Sequence, residues 1–321
     1  MKYVSMGASG LKVSRVCLGA MMFGTGDDAP CGEAEARRII DAFLDAGHNF
    51  IDTANGYTGG QSEEVVGKAI RSRRERVVVA TKGLMPIGEG PNDRGLSRAY
   101  LHRALEASLR RLGTDYVDLY QCHGWDPTTP IDETMDTLAG FVRSGKVRYI
   151  GCSNFTGSQV VESCWAAERV GGVRFISSQP RYSLLARQIE QDVLPACERM
   201  GIGTMPYSPL GGGVLTGKYR KGEPLPPGSR YARYAGLGRA GLEGPDDRAL
   251  HIAEEVGKVA AELGATPTAV AIAWVAGRRG VTSVIIGPRT YEQYRQNLEG
   301  FDLSLPDEAV KRLNEVSRPP R

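Results

Sequence analysis

Apolar residues in this chain fall into two alternating kinds of segment. Short runs stand at 16–19, 50–54, 77–82, 117–123, 149–153, 175–179, 203–207 and 283–287. Between them, apolar positions recur at three- and four-residue spacing over 34–46, 63–72, 99–112, 131–144, 158–169, 188–200, 246–263 and 291–298, which predicts amphipathic helices. Most of the short runs lack polar alternation, so they predict strands buried on both faces, as in a parallel sheet covered by helices. Residues 1–15 predict a hairpin, with Gly7-Ala8-Ser9-Gly10 as the turn and 11–13 as its second strand. Residues 302–321 predict a short extra helix with a polar tail.

Start and stop signals fit this alternation. Ser97 is placed to cap the third helix and Gly113 to end it. Thr129-Pro130 with Asp132 predicts an N-cap, a first-turn proline and a capping-box acid, and Gly145 ends that fourth helix. Eight strands with eight matching helices predict an α/β fold, a (β/α)8 TIM barrel with an N-terminal β-hairpin and a C-terminal extra helix, formed by residues 1–321 as a single domain. The competing doubly wound sheet expects a glycine fingerprint on its first strand–helix turn, which is absent here. One GxGxxG, at Gly236, Gly238 and Gly241, follows YARYA and precedes LEGPDD, so neither a strand nor a helix flanks it and it reads as loop. The Gly- and Pro-rich stretch 209–245 is longer than ordinary connections and predicts a functional or mobile loop.

Composition narrows the function classes. A hydrophobic fraction of 41% suffices for a large core. Forty basic and 37 acidic residues give a net charge of +3 with no basic block, which argues against nucleic acid or a membrane surface as partner. The N-terminal residues lack a signal-peptide core, and no run approaches the ~20 apolar residues of a membrane span, so a cytoplasmic location is expected. Cys17, Cys31, Cys122, Cys152, Cys164 and Cys197 are scattered without zinc spacing and read as reduced thiols; no metal site is expected.

The chemistry lies at the downstream ends of successive runs. These deliver Asp52, Lys82 and His123, with Tyr57 five positions after the first. The intervals, 30 residues from 52 to 82 and 41 from 82 to 123, each accommodate a strand, a loop and a helix. In a barrel these side chains share one mouth. A nearby ammonium favours the phenolate and eases proton donation by a tyrosine, an aspartate holds the lysine in place, and a histidine orients a substrate oxygen. The set suits an oxygen that gains negative charge, as when hydride is added to a carbonyl. Taken singly, each residue has an ordinary structural explanation: a helix cap, a surface lysine, a loop aromatic, a core histidine.

The segments 50-FIDTANGY-57, 79-VATKG-83, 105-LEASLRRLGTDYVDLYQCH-123, 127-PTTPIDETMDTLAGFVRSGKVRYIGCSNF-155, 206-PYSPLGGGVLTGKY-219 and 284-VIIGPRTYEQYRQN-297 make the chain resemble the aldo-keto reductases, from Leu11 to about Asn297. The resemblance implies Tyr57 as general acid, Lys82 and Asp52 as the groups that lower its pKa, and His123 as the group that positions the carbonyl. It also implies a nicotinamide dinucleotide. Ser153, Asn154 and Gln179 would hold its carboxamide, and Tyr207 would stack on its ring. Ser208, Leu210, Gly213 and Lys218 would line the pyrophosphate, with Gly287, Arg289, Gln293 and Asn297 at the adenosine end. Arg289, on a turn before a helix, suits a ribose 2′-phosphate and favours NADPH over NADH. Residues 212–218 nearly match a P-loop, but Tyr219 replaces the Ser/Thr that would bind magnesium, so phosphate contact by backbone amides is expected instead.

The expected reaction is reduction of a small aldehyde or ketone without a metal. Met21, Met22, Phe23, Trp125, Tyr231 and Tyr234 lie on loops expected to reach the mouth, with Met22, Phe23 and Trp125 as candidate substrate contacts. Two other readings compete. One is a cofactor-binding regulatory or channel-associated subunit with slow turnover. The other is a lyase or isomerase with Lys82 as Schiff-base former, which leaves the candidate nicotinamide residues unexplained.

Overall fold

A computed structural model describes residues 3–26, 29–234 and 244–319, with Tyr234 described by its backbone alone. Gly236, Gly238, Gly241 and the Tyr234 side chain therefore lie outside what is described. The chain forms two compact units. The first comprises Met1–Pro180, Ile189–Pro206 and Gly280–Tyr294; the second comprises Arg181–Gln188, Tyr207–Arg279 and Arg295–Arg321.

The first unit holds the barrel. A hairpin pairs β1 (Tyr3–Ser5) antiparallel with β2 (Lys12–Ser14). Eight parallel strands follow: β3 (Val16–Gly19), β4 (Phe50–Asp52), β5 (Val78–Gly83), β6 (Val117–Cys122), β7 (Val147–Ser153), β8 (Ser177–Gln179), β9 (Gly203–Thr204) and β10 (Val284–Ile286). Their order is β10-β3-β4-β5-β6-β7-β8-β9. The ring closes because Thr204 bridges Val281 in parallel and the Ile285 amide donates to the Pro206 carbonyl at 2.9 Å. This is the (β/α)8 architecture that the alternating pattern predicts.

The helices after β3 to β7 are α1 (Glu33–Asp45), α2 (Gln61–Ile70), α3 (Arg98–Leu112), α4 (Ile131–Arg143) and α5 (Gly157–Arg169). In α1 the buried side chains are Ala36, Ile39, Ile40 and Phe43, the stripe that a 3.6-residue repeat demands. Burying each of the three large ones stabilises the fold by roughly 1.5–3 kcal/mol. Ser97 caps α3 by accepting from the Tyr100 amide, and Gly113 ends it at φ 64°. The cap expected for α4 differs. Pro130 takes the N-cap position with no side-chain bond, and Thr129 Oγ1 instead donates to Asp126 Oδ2 at 2.8 Å. Asp126 also receives the Leu96 amide and the Thr128 amide and hydroxyl, so it competes successfully for the threonine. Asp132 pairs with Arg169 at 2.6 Å rather than closing a box.

The helix expected over 188–200 is interrupted. A 3-10 turn, Gln188–Glu190, precedes α6 (Val193–Met200), because Asp192 caps the Val193 amide at 2.7 Å and also binds the Gly157 amide at 2.9 Å. The second unit contains α7 (Arg230–Tyr234), α8 (Asp247–Glu262) and α9 (Pro267–Ala276); α10 is Tyr291–Asp302, and α11 (Asp307–Val316) is the extra C-terminal helix. The pattern assigns no helix at 267–276. Every α9 residue from Thr268 to Ala276 is buried, so the helix is apolar all round and has no polar face to reveal its period. Among the described residues no single helix is long and apolar enough to cross a membrane.

Gly67 marks a close contact of α2 with the end of α3. A Cβ there would stand 2.3 Å from the Leu112 carbonyl oxygen, a backbone atom that cannot swing aside. Gly67→Ala is expected to destabilise the protein by about 1–3 kcal/mol in urea unfolding, against the helix propensity that favours alanine.

Candidate active site

Strand register fixes the site. Lys82 of β5 is the partner of Gln121 in β6, and Gln121 of Gly151 in β7. Ser153 pairs with Gln179 across β7 and β8. Partners in a parallel ladder point the same way, so Lys82 and Gln121 share a face of the sheet. Gly151 contributes no side chain to that layer, and it has no room for one. A Cβ there would lie 2.2 Å from Ser177 Oγ and 3.4 Å from Gln121 Cγ.

Lys82 has no solvent exposure, and Asp52 has 2%. The ammonium donates to Asp52 Oδ2 at 2.6 Å, to the Thr53 carbonyl at 2.8 Å and to the Tyr57 phenol at 3.2 Å. A lysine ammonium has three protons, and these contacts use all three. The other carboxylate oxygen, Asp52 Oδ1, accepts from Gln179 Nε2 at 2.8 Å and Gln121 Nε2 at 3.1 Å. Burial disfavours the charged lysine, but the Asp52 charge, the Tyr57 phenol and the hydrogen bonds to both outweigh it and raise its pKa above the usual lysine value. Lys82 is thus an ammonium throughout the physiological range.

Tyr57 follows β4 on a 3-10 turn, Tyr57–Gly60. Its neighbour Thr58 is held left-handed at φ 46°, with Oγ1 donating to the Phe23 carbonyl at 2.6 Å. A non-glycine residue in that region costs of order 1–3 kcal/mol, and the Thr58 hydroxyl ties the turn that carries Tyr57 to Phe23. The His123 ring lies edge-on to Tyr57, centroids 5.6 Å apart. Burial and the Lys82 charge push the His123 pKa down to about 3, so the imidazole is neutral. Its Nδ1 is buried with no partner among the described residues.

The structure therefore brings Asp52, Tyr57, Lys82 and His123 together at the carboxyl ends of β4, β5 and β6. Gln179 joins them directly. Asn154, left-handed at φ 58°, donates to the His123 carbonyl at 2.9 Å and to Ser153 Oγ at 3.0 Å, and Ser153 Oγ donates to the Gln179 carbonyl at 2.8 Å. Two members of the set escape the sequence reading. The Thr53 carbonyl carries no residue-type signal. Gln121 does carry one: it is a polar residue in the apolar run VDLYQCH, two positions before His123 and so on the same strand face.

Among the candidate substrate contacts, Met22 and Trp125 are partly exposed, and Trp125 packs edge-on against Phe155 at 5.2 Å. Phe23 is fully buried. Met85 and Ile87, on the segment after β5, expose 44% and 38% of their surface at the same end of the strands. All six cysteines are free and buried. Among the described residues no group of three or more His, Cys, Asp or Glu is placed to hold a metal ion.

Near the start of α10, the Arg289 amide donates to Gln293 Oε1 at 2.9 Å, and Glu35 accepts the Tyr291 amide at 2.5 Å. Gly287 is exposed, with open space where a side chain would stand. In the second unit, Ser208 is left-handed at φ 57°, as are Gly211, Gly212 and Gly213 at 56°, 70° and 92°. A Cβ on Gly213 would stand 2.8 Å from Lys218 Nζ, so that ammonium lies against the glycine backbone. Tyr207 precedes this turn and Leu210 lies within it, both partly exposed, and Asn297 of α10 is buried. A separate groove of about 1220 Å³, lined by Arg71, Arg74, Arg76, Arg110, Tyr116 and Lys146 among others, lies at the opposite, amino-terminal end of the strands and includes none of these residues.

A model described as the Aldo/keto reductase family matches residues 15–318. An uncharacterized oxidoreductase, YrpG, of Bacillus subtilis is 42% identical over 98% of this chain and 96% of its own. A probable voltage-gated potassium channel subunit beta of Oryza sativa is 39% identical over 100% of this chain and 98% of its own. The norsolorinic acid reductase of Aspergillus flavus is 33% identical over 96% and 79%.

Lys82→Met leaves Asp52 buried without its cation and is expected to lose about 3–5 kcal/mol in urea unfolding. Adding Asp52→Leu should recover part of that loss, since neither charge then stands alone. His123 has a folded pKa of about 3, below its unfolded value near ~6.5. The unfolded chain therefore takes up the proton first, and stability present above the unfolded pKa is lost as pH falls toward the folded one. His123→Gln should flatten that part of the stability–pH curve.

Proposed function

We propose, starting from the fact that the chain belongs to the aldo/keto reductase family, that it is an NADPH-dependent oxidoreductase that reduces a small aldehyde or ketone to an alcohol. Members of this family generally bind nicotinamide cofactors. The observation that carries the reading is the solvent-free Lys82 ammonium donating to the Tyr57 phenol while paired with Asp52. The cation favours the phenolate, so the phenol gives up its proton more readily than a solvated tyrosine. Tyr57 accepts from Lys82, and its own O–H is the proposed donor to a carbonyl oxygen. The neutral His123 orients that oxygen without adding charge. The bound nicotinamide supplies the hydride.

Several features of the chain fit the dinucleotide. Gln179 Nε2 is committed to Asp52, so its Oε1 is the atom suited to accept from a carboxamide N–H, beside Ser153 and Asn154. The left-handed turn at 208–213 with Lys218 combines backbone amides and a cation, the chemistry that receives phosphate, and Tyr207 supplies an aromatic face for the ring. At the adenosine end we assign Gly287, Arg289, Gln293 and Asn297, with Arg289 on the 2′-phosphate. Met22 and Trp125, partly exposed, are assigned to the substrate, whereas Phe23 is fully buried and offers it no contact surface; an apolar or aryl carbonyl suits the two exposed side chains.

The relationship to potassium channel beta subunits favours a second reading, a cofactor-binding subunit with slow turnover. Purified protein that retains nucleotide through gel filtration and oxidises it only slowly supports that reading. The lyase reading loses support, because an ammonium with three committed protons is a poor amine nucleophile.

Tyr57→Phe should lower kcat by roughly 10²–10⁴-fold with little change in NADPH affinity; unchanged turnover contradicts the mechanism. Arg289→Leu should weaken NADPH binding by about 10–100-fold and leave NADH binding nearly constant, read by nicotinamide fluorescence. Equal weakening of both nucleotides removes the 2′-phosphate assignment.

A further inference from the structure

Gln121 has no assigned role, yet it is completely buried with its carboxamide against Asp52. Asp52 Oδ1 is an acceptor at the centre of two amides, Gln179 at 2.8 Å and Gln121 at 3.1 Å. The carboxylate fixes how both amides are oriented, since either oxygen turned toward it would face an anion. With both nitrogens on Asp52, Gln121 Oε1 faces Gln179 Nε2 at 3.4 Å. The two amides and the carboxylate form one closed set on the side of Asp52 away from Lys82.

We propose that Gln121 is a positioning residue for the proton donor: by holding Asp52 Oδ1 it draws carboxylate charge away from Lys82, so that more of the ammonium's field reaches Tyr57. The inference rests on Tyr57 as proton donor, and it extends that reading to a residue that touches neither Tyr57 nor Lys82 through any hydrogen bond of the set. The physical reasoning is electrostatic balance. Lys82 stands between an anion and a phenol. A hydrogen bond to an ionised acceptor is among the stronger ones and localises charge on the oxygen it binds. Where two donors hold Oδ1, Oδ2 compensates the ammonium less completely. Removing one donor returns charge to Oδ2, strengthens the Lys82–Asp52 pair and weakens the ammonium's hold on the phenol oxygen.

The other groups around Tyr57 do not take over this role. His123, after β6, is neutral. Cys17, on β3, senses Asp52 and Lys82, but burial and the Asp52 charge raise its thiol pKa well above the usual value, so it stays protonated. Lys82 on β5 is the charge that reaches the phenol directly, through its hydrogen bond at 3.2 Å.

The test compares wild type with Gln121→Met, which keeps length and volume but removes the donor, and Gln121→Glu, which replaces the donor with a second carboxyl. Phenolate absorbance is titrated for each against the same protein carrying Tyr57→Phe, so that the difference isolates one tyrosine. The expected result is a Tyr57 midpoint moved to higher pH by about 0.5 or more in Gln121→Met, and further in Gln121→Glu. The tyrosine-dependent limb of the pH profile of kcat/KM should move with it. Lowered stability with an unmoved midpoint in both variants overturns the proposal and leaves Gln121 a packing residue. The phenolate titration needs no turnover, so its failure is separable from failure of the reductase reading, which a wild type inert toward carbonyls would show. Should Gln121→Glu not fold, Gln121→Met alone decides the outcome, and the converse holds.

Discussion

A lysine without solvent must place three protons and one charge inside the protein, and much of the architecture around Lys82 answers that demand. One proton goes to the Asp52 carboxylate, one to the Thr53 carbonyl and one to Tyr57. The first two partners come from the end of β4, which lies beside β5 in the barrel and pairs Asp52 with Ala80. The third comes from the turn after β4, whose course depends on a strained Thr58. Breaking such a pair by removing one partner typically costs several kcal/mol, whereas replacing both with apolar residues often costs nothing. That asymmetry makes the pair poor evidence for stability and better evidence for a task that requires the charge.

The same cation sets the other titratable groups nearby. It helps burial keep His123 neutral, and it donates to the phenol proposed as the proton donor. In the proposed reaction, one paired ammonium, one phenol and one neutral imidazole give a developing oxyanion a proton and a hydrogen-bonding neighbour without burying a further net charge. In a region of low effective dielectric these preset groups act without waiting for water to reorganise. The proposed substrate contacts, Met22 and Trp125 with Phe155 behind it, are apolar, and Met85 and Ile87 expose further apolar surface on the segment after β5.

Much of this was legible in the sequence because the barrel repeats one simple unit. Parallel strands buried on both faces leave apolar runs, and amphipathic helices leave a stripe such as Ile39, Ile40 and Phe43. Polar residues at the ends of those runs, Asp52, Lys82 and His123, stand out against that background. What escaped did so for physical reasons. The α9 helix is buried on every side and so has no period. The start of α4 depends on Asp126, a carboxylate four residues upstream of Pro130 that captures the expected capping hydroxyl. The break before α6 depends on Asp192 reaching the Gly157 amide, a contact between segments distant in sequence. Gln121 was visible as a polar intruder in an apolar strand, but its importance appears only when register sets it beside Lys82 and opposite Gly151.

The most direct measurement is a single turnover of protein loaded with one equivalent of NADPH against a panel of alkyl and aryl aldehydes, followed by the loss of nicotinamide fluorescence. A carbonyl reductase oxidises the dinucleotide in step with alcohol formation for at least one member of the panel, fastest among the apolar and aromatic ones. NADPH that binds tightly but survives every carbonyl contradicts the catalytic reading and points to a cofactor-holding subunit. Failure to bind any nicotinamide dinucleotide leaves the barrel in place and removes the reductase altogether.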